Sequence, residues 1–141
     1  MSLNPYLYFD GRCEEAFRFY EKCLGGKITF MMTWEGSPMA DQAPPGWAKK
    51  ILHIGLASAD GVLEGCDAMP GQYKKPEGFC VMLKPKEAAE ADRIFKALAE
   101  GGTVQIPIGE TFWARRFGQL VDRFGVPWLI NCETPVVENE A

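Results

Sequence analysis

Residues 103–131, TVQIPIGETFWARRFGQLVDRFGVPWLIN, carry the densest structural signal in the chain. Val104, Ile106 and Ile108 alternate with Thr103, Gln105 and Pro107, the two-residue period of a strand. A second strand pattern runs over 116–121. Asp122-Arg123-Phe124-Gly125 reads as a turn, with Gly125 free to take positive φ. Residues 127–131 return as a third strand, and Pro127 stands at its first position, where a missing N–H costs least. The stretch is an antiparallel meander.

Working outward, residues 85–100 read as a helix with Ala88, Ala91, Ile94, Phe95 and Leu98 on its apolar stripe. Gly101-Gly102 ends it, and 78–83 before it has strand character. The first half has the same order. A short apolar strand covers 3–9, with Leu7 and Phe9 on one face and Tyr6 and Tyr8 on the other. Cys13, Ala16, Phe17, Tyr20 and Leu24 fall at helical spacing over 13–24, Glu14 and Glu15 sit in the first turn where the helix dipole favours them, and Gly25-Gly26 closes it. Strands are predicted at 27–35, 50–58 and 62–68, the last two joined by the tight turn Ala59-Asp60-Gly61. Residues 36–46 hold three prolines and two glycines and read as a long loop of the kind often used as a lid. Each half is thus strand, helix, three strands. The fold class is α+β, two βαβββ modules of mostly antiparallel sheet at 1–70 and 71–133, with 134–141 as a frayed tail. Each helix covers one face of a small sheet, so the other faces must cover one another, line a cavity or meet a partner.

Bulk properties narrow the function. The chain has 141 residues, is 47% hydrophobic and 24% charged, and carries a net charge of −4. That balance argues against a broad nucleic-acid surface. No run approaches the roughly 18 apolar residues of a membrane span, and the first residues lack the basic and apolar regions of a leader. Five cysteines, odd in number and without a C-x-x-C pair, predict free thiols and a cytoplasmic protein.

The doubled βαβββ order resembles the vicinal oxygen chelate superfamily of glyoxalases, bleomycin-resistance proteins and dioxygenases. Ala16-Phe17-Arg18-Phe19-Tyr20-Glu21-Lys22-Cys23-Leu24-Gly25 carries the first part of the resemblance. Pro5-Tyr6-Leu7, Phe9, His53, Thr111-Phe112-Trp113 and the run from Asp122 to Trp128, followed by Asn131, are similar to its PhnB-like branch. The resemblance implies curved sheets around a small-molecule cleft, and a homodimer. Some proteins of this branch carry a demethylubiquinone methyltransferase label. No glycine-rich nucleotide loop is visible in the sequence, and that activity is set aside.

The superfamily's metalloenzymes hold a divalent ion on His, Glu or Gln of the modules' first and last strands. At the matching positions this chain offers Asn4, Pro5 or Tyr6, then Glu64, then Gly78, Phe79 or Cys80, then Asn131. Only Glu64 is a ligand of the usual type, so no metal or other cofactor is expected. If a divalent metal binds, the candidates are Glu64, His53 and Asp67. His53, the single histidine, is the candidate general base, and it alternates with Leu52 and Ile54. Tyr6, Tyr8, Trp34 and Trp113 are candidates for an aromatic ligand wall. Trp128 reads as core. Arg115 and Arg116 are candidate anion partners, with Arg116 and Asn131 placed in the ligand set. The expected function is small-molecule binding. The alternatives are a metal-dependent lyase, isomerase or dioxygenase around Glu64, or an interaction module with a filled cleft.

Overall fold

A computed structural model describes residues 1–134; the tail predicted as frayed lies, from residue 135 on, outside the described residues. The chain divides into two compact units, Met1–Lys75 and Pro76–Ala141. Among the described residues each contains one α-helix and one four-stranded mixed sheet.

In the first unit, β1 (Tyr6–Phe9) leads into α1 (Cys13–Leu24), then β2 (Lys27–Thr33), β3 (Ile51–Ala57) and β4 (Val62–Asp67). The sheet order is β1-β4-β3-β2. β1 lies parallel to β4, with Tyr6 opposite Glu64, and the other pairs are antiparallel. The helix runs as its periodicity predicts. Cys13, Ala16, Phe17, Tyr20 and Cys23 are buried on one side, and Gly25 takes the left-handed conformation at φ 73° that ends it. Phe9, Phe17 and Tyr20 meet edge to face or tilted beneath it, with ring centroids 5.8 to 6.4 Å apart.

One acidic side chain closes this unit. Asp67, at the end of β4, is buried. Its Oδ1 accepts the backbone N–H of Cys13 at 2.9 Å and its Oδ2 that of Ile51 at 2.9 Å. α1 has no side-chain cap of its own. Asp67 therefore caps the helix from a distant strand, with its charge at the positive end of the helix dipole.

The second unit repeats the plan: β5 (Val81–Leu83), α2 (Ala88–Ala99), β6 (Thr103–Gly109), β7 (Ala114–Val121) and β8 (Pro127–Glu133), in sheet order β5-β8-β7-β6. β5 and β8 are parallel and the meander β6-β7-β8 is antiparallel. Ala91, Ile94, Phe95 and Leu98 are buried under α2. β5 is shorter than the predicted 78–83 because Gly78 sits at φ 75°, a backbone geometry that extended strand does not use. The β7–β8 turn is the one predicted, with Gly125 at φ 88°. Asp122 organises it. Its Oδ1 accepts the N–H groups of Phe124 and Val126 at 2.8 and 3.0 Å, and its Oδ2 accepts the Trp128 indole N–H at 2.8 Å. Trp128 itself is core, as expected.

In each unit a helix presses a phenylalanine onto a sheet glycine. A Cβ on Gly65 of β4 would lie 2.5 Å from the Leu7 carbonyl oxygen and 3.0 Å from the Phe17 ring. A Cβ on Gly118 of β7 would lie 2.7 Å from the Phe95 ring. Small residues there let the helix approach the sheet.

The β2–β3 ladder slips at two places, once with the extra residue on β2 and once with it on β3. Register shifts fall between Ile28 and Phe30 and between Met32 and Thr33. The second leaves Trp34 beyond the strand end and only 6% exposed. The segment 36–46 is not free of structure: it contains one 3-10 turn, Ala40–Gln42, and the chain around it is tied by Glu35 N–H to the Ala48 carbonyl at 2.8 Å.

Candidate functional site on the open face of the first sheet

Strand alternation sends Leu7 and Phe9 under α1 and leaves Tyr6 and Tyr8 on the opposite, uncovered face. Cross-strand pairing then sets Glu64 beside Tyr6 on that face. His53 of β3 joins them. The Tyr6 hydroxyl lies 3.2 Å from His53 Nδ1, and the Glu64 carboxylate lies 3.4 Å from His53 Nε2. Asn4 donates from Nδ2 to the other Glu64 oxygen at 3.4 Å. The donor and acceptor roles of the Tyr6–His53 pair follow the imidazole tautomer, and the single Tyr6 O–H proton is within reach of both His53 and Cys66. The result is a carboxylate–imidazole–phenol row on a half-exposed sheet surface.

Aromatic rings frame the row. Tyr6 stacks on His53 at 5.6 Å, Phe30 tilts against His53 at 5.6 Å, and Tyr8 lies 5.2 Å from Tyr6. Tyr8 is 57% exposed and Phe30 46%, unusual for large apolar groups arranged together. Gly55, between the Glu64 and Phe30 strands, keeps the floor low: an added Cβ would find only Thr29 Oγ1 at 3.7 Å and Glu64 Cγ at 4.0 Å. Burial, and then a hydrogen bond with Cys66, push the Tyr6 phenol well above the ordinary tyrosine range. Burial likewise raises the Cys66 thiol. Both groups stay protonated at neutral pH, which makes Tyr6 a donor and leaves Cys66 a poor nucleophile.

The sequence candidates separate as follows. The structure brings Tyr6, Tyr8, His53 and Glu64 together. It does not bring Asp67 to them, because strand alternation turns Asp67 to the helix side, where both of its oxygens are bound to backbone N–H groups. Trp34 is buried beyond the end of β2. Trp113, Arg116 and Asn131 belong to the second unit. There Trp113 packs edge to face on Phe112 and Phe117, at 4.7 and 5.3 Å. Arg116 reaches toward α2, its Nε 2.9 Å from Asp92 Oδ1. Asn131 has a buried Oδ1 without a hydrogen-bond partner among the described residues. Sequence reasoning passes over Phe30, whose place beside His53 depends on the first β2 bulge.

A superfamily-type metal needs three or more ligands at one point. His53 and Glu64 supply two, and the third candidate is on the other side of the sheet. Among the described residues no group of three or more His, Cys, Asp or Glu is placed to hold an ion. The residues present do not fit that centre.

The family model described as 3-demethylubiquinone-9 3-methyltransferase matches residues 1–131. The chain belongs to this family. This agrees with the PhnB-like resemblance read from the sequence, and a possible glyoxalase from Bacillus cereus, 18% identical with a TM-score of 0.61, shares the fold. Protein YjdN of Escherichia coli is 34% identical over 139 residues, covering 93% of this chain and 95% of YjdN. The crystal structure of PA1353 from Pseudomonas aeruginosa aligns with a TM-score of 0.87 at 43% identity, covering 94% of this chain and 98% of that one. A PhnB protein from Bacillus cereus aligns at 0.78 and 22% identity, over 94% and 99% of the two chains. The α+β fold of two repeated modules read from the sequence is the fold of these PhnB-like proteins. No helix among the described residues is long and apolar enough to cross a membrane.

Proposed function

We propose that this protein binds a small molecule on the open face of the first sheet, against Tyr6, Tyr8 and Phe30, with His53 as its polar contact and candidate proton-transfer group. The observation that carries this reading is the Tyr6–His53–Glu64 row. Three polar side chains held in sequence beside exposed rings suit a planar or apolar ligand with one hydrogen-bonding end. Glu64 lies 3.4 Å from His53 Nε2 and orients the imidazole, and Tyr6 offers a protonated hydroxyl. The methyltransferase description belongs to the family model. Among the described residues each sheet has one parallel pair, unlike the doubly wound parallel sheets that bind nucleotide cofactors at a switch point, which supports a binding role instead. Five free thiols fit a reducing compartment, so we place the protein in the cytoplasm. The exposed apolar faces and the family resemblance support a homodimer.

A thermal-shift screen of small planar acids, phenols and amides tests this on the full chain. A ligand that raises the wild-type Tm should lose its effect, by tenfold or more in apparent Kd, in His53→Ala and Tyr6→Ala. An unchanged shift in both variants would remove the site from this face. Elemental analysis in parallel addresses the metalloenzyme reading: about one divalent metal per chain, lost in Glu64→Gln, would replace the present proposal.

A further inference from the structure

We infer that the second unit carries a separate binding site for the oxyanion group of a small ligand, in an open depression between β5, β7 and β8. The depression has a volume of about 310 Å3 and is lined by Lys84, Lys86, Arg115, Asn131 and Glu133 among others. Three cations face one carboxylate there, in a chain whose net charge is −4. Local excess of positive charge against an acidic background is what concentrates an anion.

The cations are not equally committed. Lys84 pairs with Glu133 at 2.7 Å. Arg115 has no carboxylate partner among the described residues. Its Nη2 donates to the Lys86 carbonyl and its Nε to the Glu133 carbonyl at 3.4 Å. Two backbone acceptors therefore fix the guanidinium plane without a carboxylate among the described residues to offset its charge, and they occupy two of its five N–H groups. The Lys86 ammonium has no ion-pair partner among the described residues. A guanidinium held in position beside an unpaired ammonium is the donor set that phosphate and carboxylate groups bind. The unsatisfied Asn131 Oδ1 is a second observation at the same place. A buried acceptor without a donor is costly, and a ligand hydroxyl beside the oxyanion would supply one. The bulge between Ala114 and Arg116 is what makes the site. It sends Arg116 to Asp92 on α2 and turns the adjacent Arg115 into the depression.

The test is calorimetric titration of the full chain in low-salt buffer, where charge interactions are least screened. The probes are inorganic phosphate, which carries oxyanion oxygens and a hydroxyl, and glycolate, which carries a carboxylate and a hydroxyl. Saturable binding at one site per chain is expected for at least one of them, weakened about tenfold or more in Lys86→Gln and in Arg115→Gln. Phosphate alone saturating would assign a phosphate group, and glycolate alone a carboxylate. Arg116→Gln, which removes a cation already paired on the helix side, should bind as wild type does. Because Arg115 also braces two carbonyls, a poorly folded Arg115→Gln would leave Lys86→Gln as the deciding variant. No saturable binding by either probe, or equal binding by wild type and Lys86→Gln, would overturn the site. His53→Ala should leave both titrations unchanged, so this result stands or falls apart from the proposed ligand face.

Discussion

Asp67 and Asp122 are the two buried acidic side chains of the described residues, and they close their units in opposite ways. Asp122 works locally. Phe124, Val126 and Trp128, which donate to it, come from the next six residues, and a folded turn between β7 and β8 brings them to it. Asp67 works at long range, joining the end of β4 to the start of α1, 54 positions away, and to β3. One plan of strand, helix and three strands is therefore pinned once by a turn and once by a tertiary clasp. The difference predicts how each unit fails.

The largest effect is expected at these two positions. Asp122→Ala strands two backbone N–H groups and an indole N–H in the interior, a loss of about 3 to 5 kcal/mol. Asp67→Ala strands two backbone N–H groups, one at a helix N-terminus, for about 2 to 4 kcal/mol. Urea unfolding measures both. The contrast sharpens in hydrogen exchange. Asp122→Ala should lower protection mainly in the β7–β8 hairpin, while Asp67→Ala should lower it in α1, β3 and β4 together. Confinement of the Asp67→Ala effect to α1 alone would break the comparison.

The same contrast explains what the sequence makes legible. Asp122 stands in Asp-Arg-Phe-Gly before Pro127, and short-range turn chemistry names it without a structure. Asp67 follows Glu64 and Cys66 on a strand, and in one dimension it resembles a ligand position. Only the α1–β4 contact reveals that its oxygens already hold Cys13 and Ile51. His53 and Glu64 were readable as cross-strand neighbours, because the tight turn at 59–61 joins their two strands. The arrival of Tyr6 beside them needs the parallel β1–β4 register, which comes from a crossover and not from any local signal. Helix α1 was readable to the residue, since its stripe, acidic first turn and terminal glycines agree. Trp34 was not, because the register shift beside it places the extra residue, Leu52, on the partner strand β3, and the alternating pattern along its own strand gives no sign of it. The depression at Lys84, Lys86 and Arg115 draws on residues 30 positions apart and on a second bulge. The sequence offers only the Arg115-Arg116 pair as a hint.

A smaller effect is expected at the glycines under the two helices. Gly65→Ala puts a Cβ against the Leu7 carbonyl oxygen, and backbone cannot move aside without disturbing the β1–β4 ladder. A loss of about 2 to 3 kcal/mol is expected. Gly118→Ala meets first the edge of the Phe95 ring, which has some freedom to shift, and then Ile108 Cα at 3.0 Å. About 1 to 2 kcal/mol is expected there. Gly118→Ala combined with Phe95→Leu should recover part of the loss, since the clash and the ring are removed together. Gly65→Ala combined with Phe17→Leu should recover less, because the nearer obstacle is main chain. Equal rescue in both units would contradict this account of where the strain sits.

The smallest effect concerns the helix starts, and it has the opposite sign. Neither helix carries a side-chain cap at its own N-cap residue. In α1 the Asp67 carboxylate already takes the Cys13 N–H, so a better local residue has little to add. In α2 the N-cap is Glu87, at φ −112° and ψ 139°, the extended geometry from which a short hydroxyl side chain reaches the N–H groups of the first turn. Glu90 stands three residues on, the spacing of a capping box. In the present protein Glu90 is turned to Arg93, with Arg93 Nε 2.9 Å from its Oε2, and that hydrogen bond holds its carboxyl below the usual carboxylate range. Glu87→Ser should therefore stabilise the protein by about 0.5 to 1 kcal/mol, while Arg12→Ser in α1 gains nothing and loses its contact with Glu15. The gain should depend on pH if the box forms. A carboxylate whose folded pKa is depressed contributes above its unfolded pKa and loses that contribution as pH falls through the folded value. The stabilisation by Glu87→Ser should accordingly be larger at neutral pH than in acid. A gain that is the same at both would mean that the serine hydroxyl caps α2 alone, with Glu90 still held by Arg93.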